Sequence, residues 1–180
     1  MNLRKFDPFN NRLARDIRNG LSKSFLGALA EREVSSYKRR AAEYLKQDLG
    51  QVYQMYVKTR LGKYDEVFVA IEQGRIDDEL RQAEILWKHG LFFEMHELLE
   101  NIWSSAEGNE RKALQGLIRA AGMKIHAENG NTRAAVAMGR KAQADLQLFG
   151  RALTRLNRLE FILAEITNTL ANMDSSSEDH

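Results

Sequence analysis

Residues 91–103 read LFFEMHELLENIW, and this stretch decides the fold. At 100° per residue, Phe92, Met95, Leu99, Ile102 and Trp103 share one arc, the buried stripe of an amphipathic helix. His96 lies at the edge of that arc beside Trp103, and Glu100 follows one turn on, with Phe93 beyond it. His96 and Glu100 are therefore i and i+4 neighbours on one face, while Glu97 points further out toward solvent. Charged side chains are costly to bury unless paired. This polar strip is where a site or a structural network is expected.

Outward from this stretch, helices and turns alternate. A helix over residues 92–104 is followed by a turn over 105–108, with Asn109 capping a helix over 110–128 and Asn129 and Gly130 stopping it. Asn131 or Thr132 opens the next helix, which ends near Phe149 and Gly150. Asn157, with Glu160 three residues on, forms a capping box for a helix over 158–172 with the stripe Leu159, Ile162, Leu163, Ile166 and Leu170. Upstream, Asp77 caps a helix over 78–88 that stops at Gly90. Phe9, Leu13, Ile17, Leu21 and Phe25 predict a helix over 9–29. Tyr37, Ala41, Leu45, Leu49, Val52 and Tyr56 predict one long helix from Ser35 or Ser36 to about Arg60, ended at Gly62, with a short segment over 65–73 after it.

Composition agrees. The single proline is Pro8, and Ala, Leu, Arg, Glu, Gln and Lys dominate, all good helix formers. The expected fold class is all-α: a helical-hairpin bundle with a two-helix N-terminal extension. We expect a basic extension over residues 1–75, a hairpin core over 76–172 and a polar, acidic, disordered tail over 173–180. The chain has no cysteine, which excludes disulfides, thiolate metal sites and cysteine nucleophiles. The opening, MNLRKFDPFNNRLARD, has charges where a secretory signal needs an apolar core. The longest apolar run, residues 67–71, is too short to span a bilayer. A cytoplasmic protein with no membrane span is expected.

Charge is unevenly distributed. Residues 1–62 carry 13 Lys/Arg against 6 Asp/Glu, and residues 63–180 carry 14 against 19. A basic half can steer toward nucleic acid or an anionic surface. Lys38, Arg39, Arg40 and Lys46, and Arg12, Arg15 and Arg18, are the groups that would do so. Tyr44, Tyr53 and Tyr56 could stack bases beside them. A solvated basic face with tyrosines in the core is the simpler account, and nucleic-acid binding is the weaker partner reading beside an unspecified protein partner.

Three chemistries compete at His96 and Glu100. His-Glu-x-x-His is a zinc-peptidase pattern, but here Glu100 stands where the second histidine would be, so a third ligand is needed. His126 is the tempting one. If the turn centres near residue 107, residue 96 faces residue 118, and His126 then lies ~12 Å further along the axis. A half-buried Glu100 or His96 could serve as a general acid or base, since apolar neighbours raise a carboxylate's pKa. No nucleophile or phosphate loop accompanies them. The same register sets Glu100 near Gln115 and Arg111, and His96 near Arg119 and Gly122. A network of Glu100 with Gln115 or Arg111 would satisfy buried polar groups and pin the hairpin register. That structural account is preferred, and no metal and no cofactor are expected.

The strings GLFFEMHELLENIW, then ALQGLIRAAGMKIHAENGN, then TRAAVAM resemble the prokaryotic family called domain of unknown function 309, over about residues 84–146. The pattern is an aromatic residue, His-Glu, two apolar residues, Glu and Trp, followed by a Gln-Gly-Leu-Ile helix. The resemblance implies a compact all-α hairpin bundle without an assigned activity. It maps the signature onto Phe93, His96, Glu97, Glu100, Trp103, Gln115 and His126 and gives none of them a role. The functional expectation is a non-catalytic interaction or binding module. The alternative is a small-ligand or metal-binding protein, a hydrolase among the options, centred on His96 and Glu100, with Trp103, Arg111, Gln115, Arg119 and His126 around them.

Overall fold

A computed structural model describes residues 5–175. Eight α-helices and one short 3-10 helix account for its regular structure, with no strand among the described residues, so the all-α expectation holds. None of the described helices is long and apolar enough to cross a membrane. The chain divides into two compact units, Met1–Arg75 and Ile76–His180.

The first unit holds α1 (Arg12–Glu31), α2 (Ser35–Leu45) and α3 (Gln51–Gly74). Asn11 caps α1: its side-chain oxygen accepts the Ala14 N–H at 2.9 Å. The buried stripe of α1 is Ala14, Ile17, Leu21, Phe25 and Ala28, and Leu13 stays partly exposed. An aromatic cluster fills this unit's core. The Phe25 ring stacks on Tyr64 with centroids 4.0 Å apart, and Tyr37 meets both edge-on. The fully buried Tyr37 donates its hydroxyl to Asp65 at 2.7 Å.

The long helix expected over residues 35–60 is instead two. The stretch after Leu45 turns through Lys46, Gln47 and Asp48, and Gly50, in extended backbone (φ −58°, ψ 154°), opens α3. Asp and Gly are weak helix formers, and here they break what the apolar spacing would have continued. Gly62 does not end the second piece. It lies exposed inside α3, with open space where a side chain would project, and the expected segment over 65–73 is the last part of that helix.

The second unit is a run of antiparallel hairpins: α4 (Glu79–Lys88), α5 (Phe92–Ser105), α6 (Gly108–Glu128), α7 (Thr132–Phe149), a 3-10 turn (Gly150–Ala152) and α8 (Leu159–Ser175). Each helix packs on its chain neighbour, and the α6–α7 pair is the most extensive. Gly90 (φ 66°) and Gly130 (φ 77°) adopt the left-handed conformation that lets the chain double back after α4 and α6. Glycine also sets the α6–α7 distance. A Cβ on Gly139 would lie 2.6 Å from Met123 Sδ, and one on Gly122 2.8 Å from Met138 Sδ.

Several boundaries differ from expectation, beginning with α1, expected over 9–29 and found over Arg12–Glu31. Asp78, not Asp77, caps α4, accepting the Arg81 N–H at 3.1 Å. No side chain caps α6, which opens at Gly108 behind an extended Glu107. The entry to α8 is held from a distance: Glu84 Oε1 on α4 accepts the Asn157 N–H and, at 2.7 Å, the Arg158 N–H, in place of the local box expected with Glu160. Of the tail expected over 173–180, residues 173–175 belong to the end of α8, and the remainder lies outside the described residues.

Candidate functional site

α5 buries a face slightly rotated from the one its apolar spacing suggests. Leu91, Glu94, Met95, Leu98 and Leu99 are buried, whereas Ile102 and Trp103 are only half-buried. Glu94 is wholly inaccessible and Leu98 takes the place expected of Ile102. The rotation carries the strip of polar residues outward, to the rim of the hairpin.

Along that rim, both nitrogens of the His96 ring face carboxylates. Nδ1 is 3.6 Å from Glu97 Oε1 and Nε2 is 3.8 Å from Glu100 Oε1. One ligand atom from each of His96, Glu97 and Glu100 lies within 4.8 Å of the others. The His96 side chain is 26% exposed, against 43% for Glu97 and 53% for Glu100, so the cluster opens to solvent. His96 Nδ1 is itself buried and has no hydrogen-bond partner. Buried polar atoms are nearly always satisfied, and an unsatisfied one needs a physical account.

The other predicted site residues are drawn elsewhere. Arg111 lays its guanidinium 3.8 Å over the Trp103 ring and donates to the carbonyls of Trp103 (3.1 Å) and Ala106 (3.2 Å). It therefore closes the α5–α6 turn and does not bind Glu100. Arg119 pairs with Asp145 of α7. Gln115 is half-buried on α6. His126 sits at the far end of α6, its Nδ1 3.4 Å from the Asn131 side-chain nitrogen, and burial lowers its pKa from the ordinary value. Of the seven predicted residues, the fold brings His96 and Glu100 together and Trp103 and Arg111 together. The third member of the cluster is Glu97, whose place one residue after His96 was the signal available in the sequence.

A second polar seam has no signature in the local sequence. Trp87 Nε1 donates to Glu165 of α8. Lys124 of α6 donates to Thr169 Oγ1 at 3.0 Å, with its ammonium 5.4 Å above Trp87 and 5.8 Å above Phe92. These contacts join four helices of the second unit and are internally matched, as a structural seam should be.

The basic groups of the first unit are largely engaged close to home. Arg12 faces Asp16 (3.7 Å), Arg15 donates to the carbonyls of Pro8 and Phe9, Lys38 faces Asp65 (3.4 Å) and Arg40 pairs with Glu43 (2.9 Å). A phosphate backbone would have to compete with each of them.

No curated protein and no solved structure matches the chain. Residues 80–138, which hold α4, α5, α6 and the opening of α7 together with the His96, Glu97 and Glu100 cluster, match the family model described as Domain of unknown function (DUF309), the family that the sequence resembles.

Proposed function

We propose that this protein is a non-catalytic binding module whose site is a divalent transition-metal centre formed by His96, Glu97 and Glu100. One observation carries the reading: three ligand groups of the right chemistry converge within 4.8 Å on one helix face, and the imidazole among them has a nitrogen with no other partner. A sealed and fully bonded pair would have favoured a purely structural role. An open cluster favours a ligand.

The donor set narrows the ion. An imidazole with two carboxylates suits zinc and its transition-metal neighbours, whereas calcium and magnesium prefer oxygen throughout. Bonds of about 2.0–2.2 Å would bring the donors slightly closer together than they now stand, a change within reach of exposed glutamate rotamers. Water would fill the remaining positions. Holding an ion requires only these three groups, whereas hydrolysis would also require a positioned proton carrier and a substrate cleft, so binding is the more economical account. A prokaryotic, cytoplasmic setting is part of this proposal and rests on the family resemblance and the cysteine-free composition.

The test is elemental analysis of untagged protein purified without chelator, followed by calorimetric titration of the stripped protein with zinc chloride. One equivalent per chain is expected, abolished by His96→Ala and Glu100→Gln. Stripped protein that takes up no zinc, cobalt or nickel would dismiss the site.

A further inference from the structure

We infer that the first unit carries a docking groove for an acidic, apolar peptide segment of a partner protein, lying along the N-terminal half of α3. The inference is independent of the metal site.

The groove is built by the segment that precedes α1. Phe6 lies flat on Tyr56, ring centroids 3.6 Å apart and planes 6° from parallel, and meets the edge of Tyr53. This fixes one wall against α3. Beside this stack lies a concavity of about 460 Å³ lined by Phe6, Val52, Met55 and Tyr56. A second concavity of about 340 Å³ lies beside it, bounded by Leu49, Gln54 and Lys58. Gln51 and Met55 belong to both. Met55 thus forms a ridge between two hollows, and it is 58% exposed. An unbranched, polarisable thioether left on a surface is a characteristic of adaptable binding faces.

Shape and charge name the occupant. Both hollows lie along the same two turns of α3, side by side across the Met55 ridge. A docked amphipathic helix would straddle that ridge with apolar side chains on either side of it. The two linings contain Lys5 and Lys58 and no carboxylate. Lys58 is exposed and makes no ion pair among the described residues. Residues 1–75 as a whole carry 15 Lys/Arg against 9 Asp/Glu. Acidic residues flanking the apolar anchors would meet this rim, steering encounter and setting orientation. An apolar floor flanked by only two lysines is a poor match for a nucleic-acid backbone, which needs a row of cations.

The experiment is selection of a displayed random 16-residue peptide library on the full chain, with counter-selection on Met55→Glu. Because Met55 is exposed, that variant should keep its fold, checked by circular dichroism. Enriched peptides are expected to be net acidic, with apolar residues spaced one and two helical turns apart. Synthetic copies should lose roughly tenfold or more in affinity to Met55→Glu and severalfold to Lys58→Glu, and should weaken as salt is raised. Neutral or basic enriched peptides, binding indifferent to Met55→Glu, or no enrichment would overturn the proposal. Light scattering that shows a dimer lost in Met55→Glu, or sedimentation with phosphatidylserine vesicles lost in it, would also overturn it by naming another occupant.

Discussion

The Glu84 carboxylate on α4 accepts the Arg158 backbone N–H at 2.7 Å, tying the entry of α8 to a helix seventy residues earlier in the chain. The same oxygen takes the Asn157 N–H, and Glu84 is only 8% exposed. Removing this acceptor leaves two backbone N–H groups at the start of α8 without their charged partner, the equivalent of losing a helix N-cap. Glu84→Ala should therefore lose about 1–3 kcal/mol of stability, and Glu84→Gln distinctly less, because an amide oxygen still accepts. Urea denaturation of the two variants measures this. Equal and negligible losses would show the contact to be incidental.

Glycine in a helix has opposite effects at two positions. Gly62 faces open space inside α3, so Gly62→Ala should gain up to about 1 kcal/mol through helix propensity and a less free unfolded chain. At Gly139, a Cβ would press Met123 Sδ at 2.6 Å and Leu170 Cδ2 at 2.8 Å. Gly139→Val should lose about 1–3 kcal/mol by displacing the packed Met123 and Leu170 side chains. Thermal midpoints moving in opposite directions are the expected outcome.

Burial holds the His126 imidazole below its ordinary value of 6.5. As pH falls through that value the unfolded ring takes up a proton before the folded one does, so the unfolded state holds more protons and stability rises with pH. The loss begins near the ordinary value and levels off once the folded ring also titrates. Denaturation at pH 7.5 and pH 5.5 should show a smaller drop for His126→Gln than for the parent protein. A proton NMR titration should place the His126 midpoint below that of a free histidine.

If His96, Glu97 and Glu100 form a ligand site, removing them should barely affect folding of the metal-free chain. His96→Ala and Glu100→Gln are expected to lie within about 0.5 kcal/mol of the parent, since exposed ion pairs contribute little. Zinc supplied at a hundred times its dissociation constant should stabilise the parent by about 2.7 kcal/mol and leave both variants unmoved. Differential scanning calorimetry with and without zinc distinguishes this from a structural role, in which the metal-free variants would already be weakened.

The turns after α4 and α6 were legible because local chemistry writes them. Gly90 and Gly130 stand where the chain needs a positive φ, and the apolar spacing between them fits helices of ordinary length. The resemblance was expected over 84–146 and the family model matches 80–138, a shift of a few residues at each end. The break between α2 and α3 was hidden because Leu45, Leu49 and Val52 continue a helical stripe across it, while Asp48 and Gly50 interrupt the backbone beneath. Gly62 misled in the opposite sense: exposed and unstrained, it acts as a tolerated helix residue. At the site, α5 turns Glu94 inward, a carboxylate that periodicity alone would never place in the interior. Once Glu94 is inward, Glu97 and Glu100 swing to the rim beside His96. The Glu84 contact with α8 could not be read at all, since no local spacing encodes a partner so far along the chain.

The stretch that matches the family model ends at residue 138, seven residues into α7, and the next residue is the glycine that lets that helix approach Met123. Leu146, which lies against Gly116 of α6, falls outside the segment, as does all of α8. A fragment excised at the borders of sequence similarity would therefore cut a helix in half and leave one side of α6 without its cover. Such a piece should aggregate when expressed by itself, whereas one prolonged to the end of α8 should remain in solution.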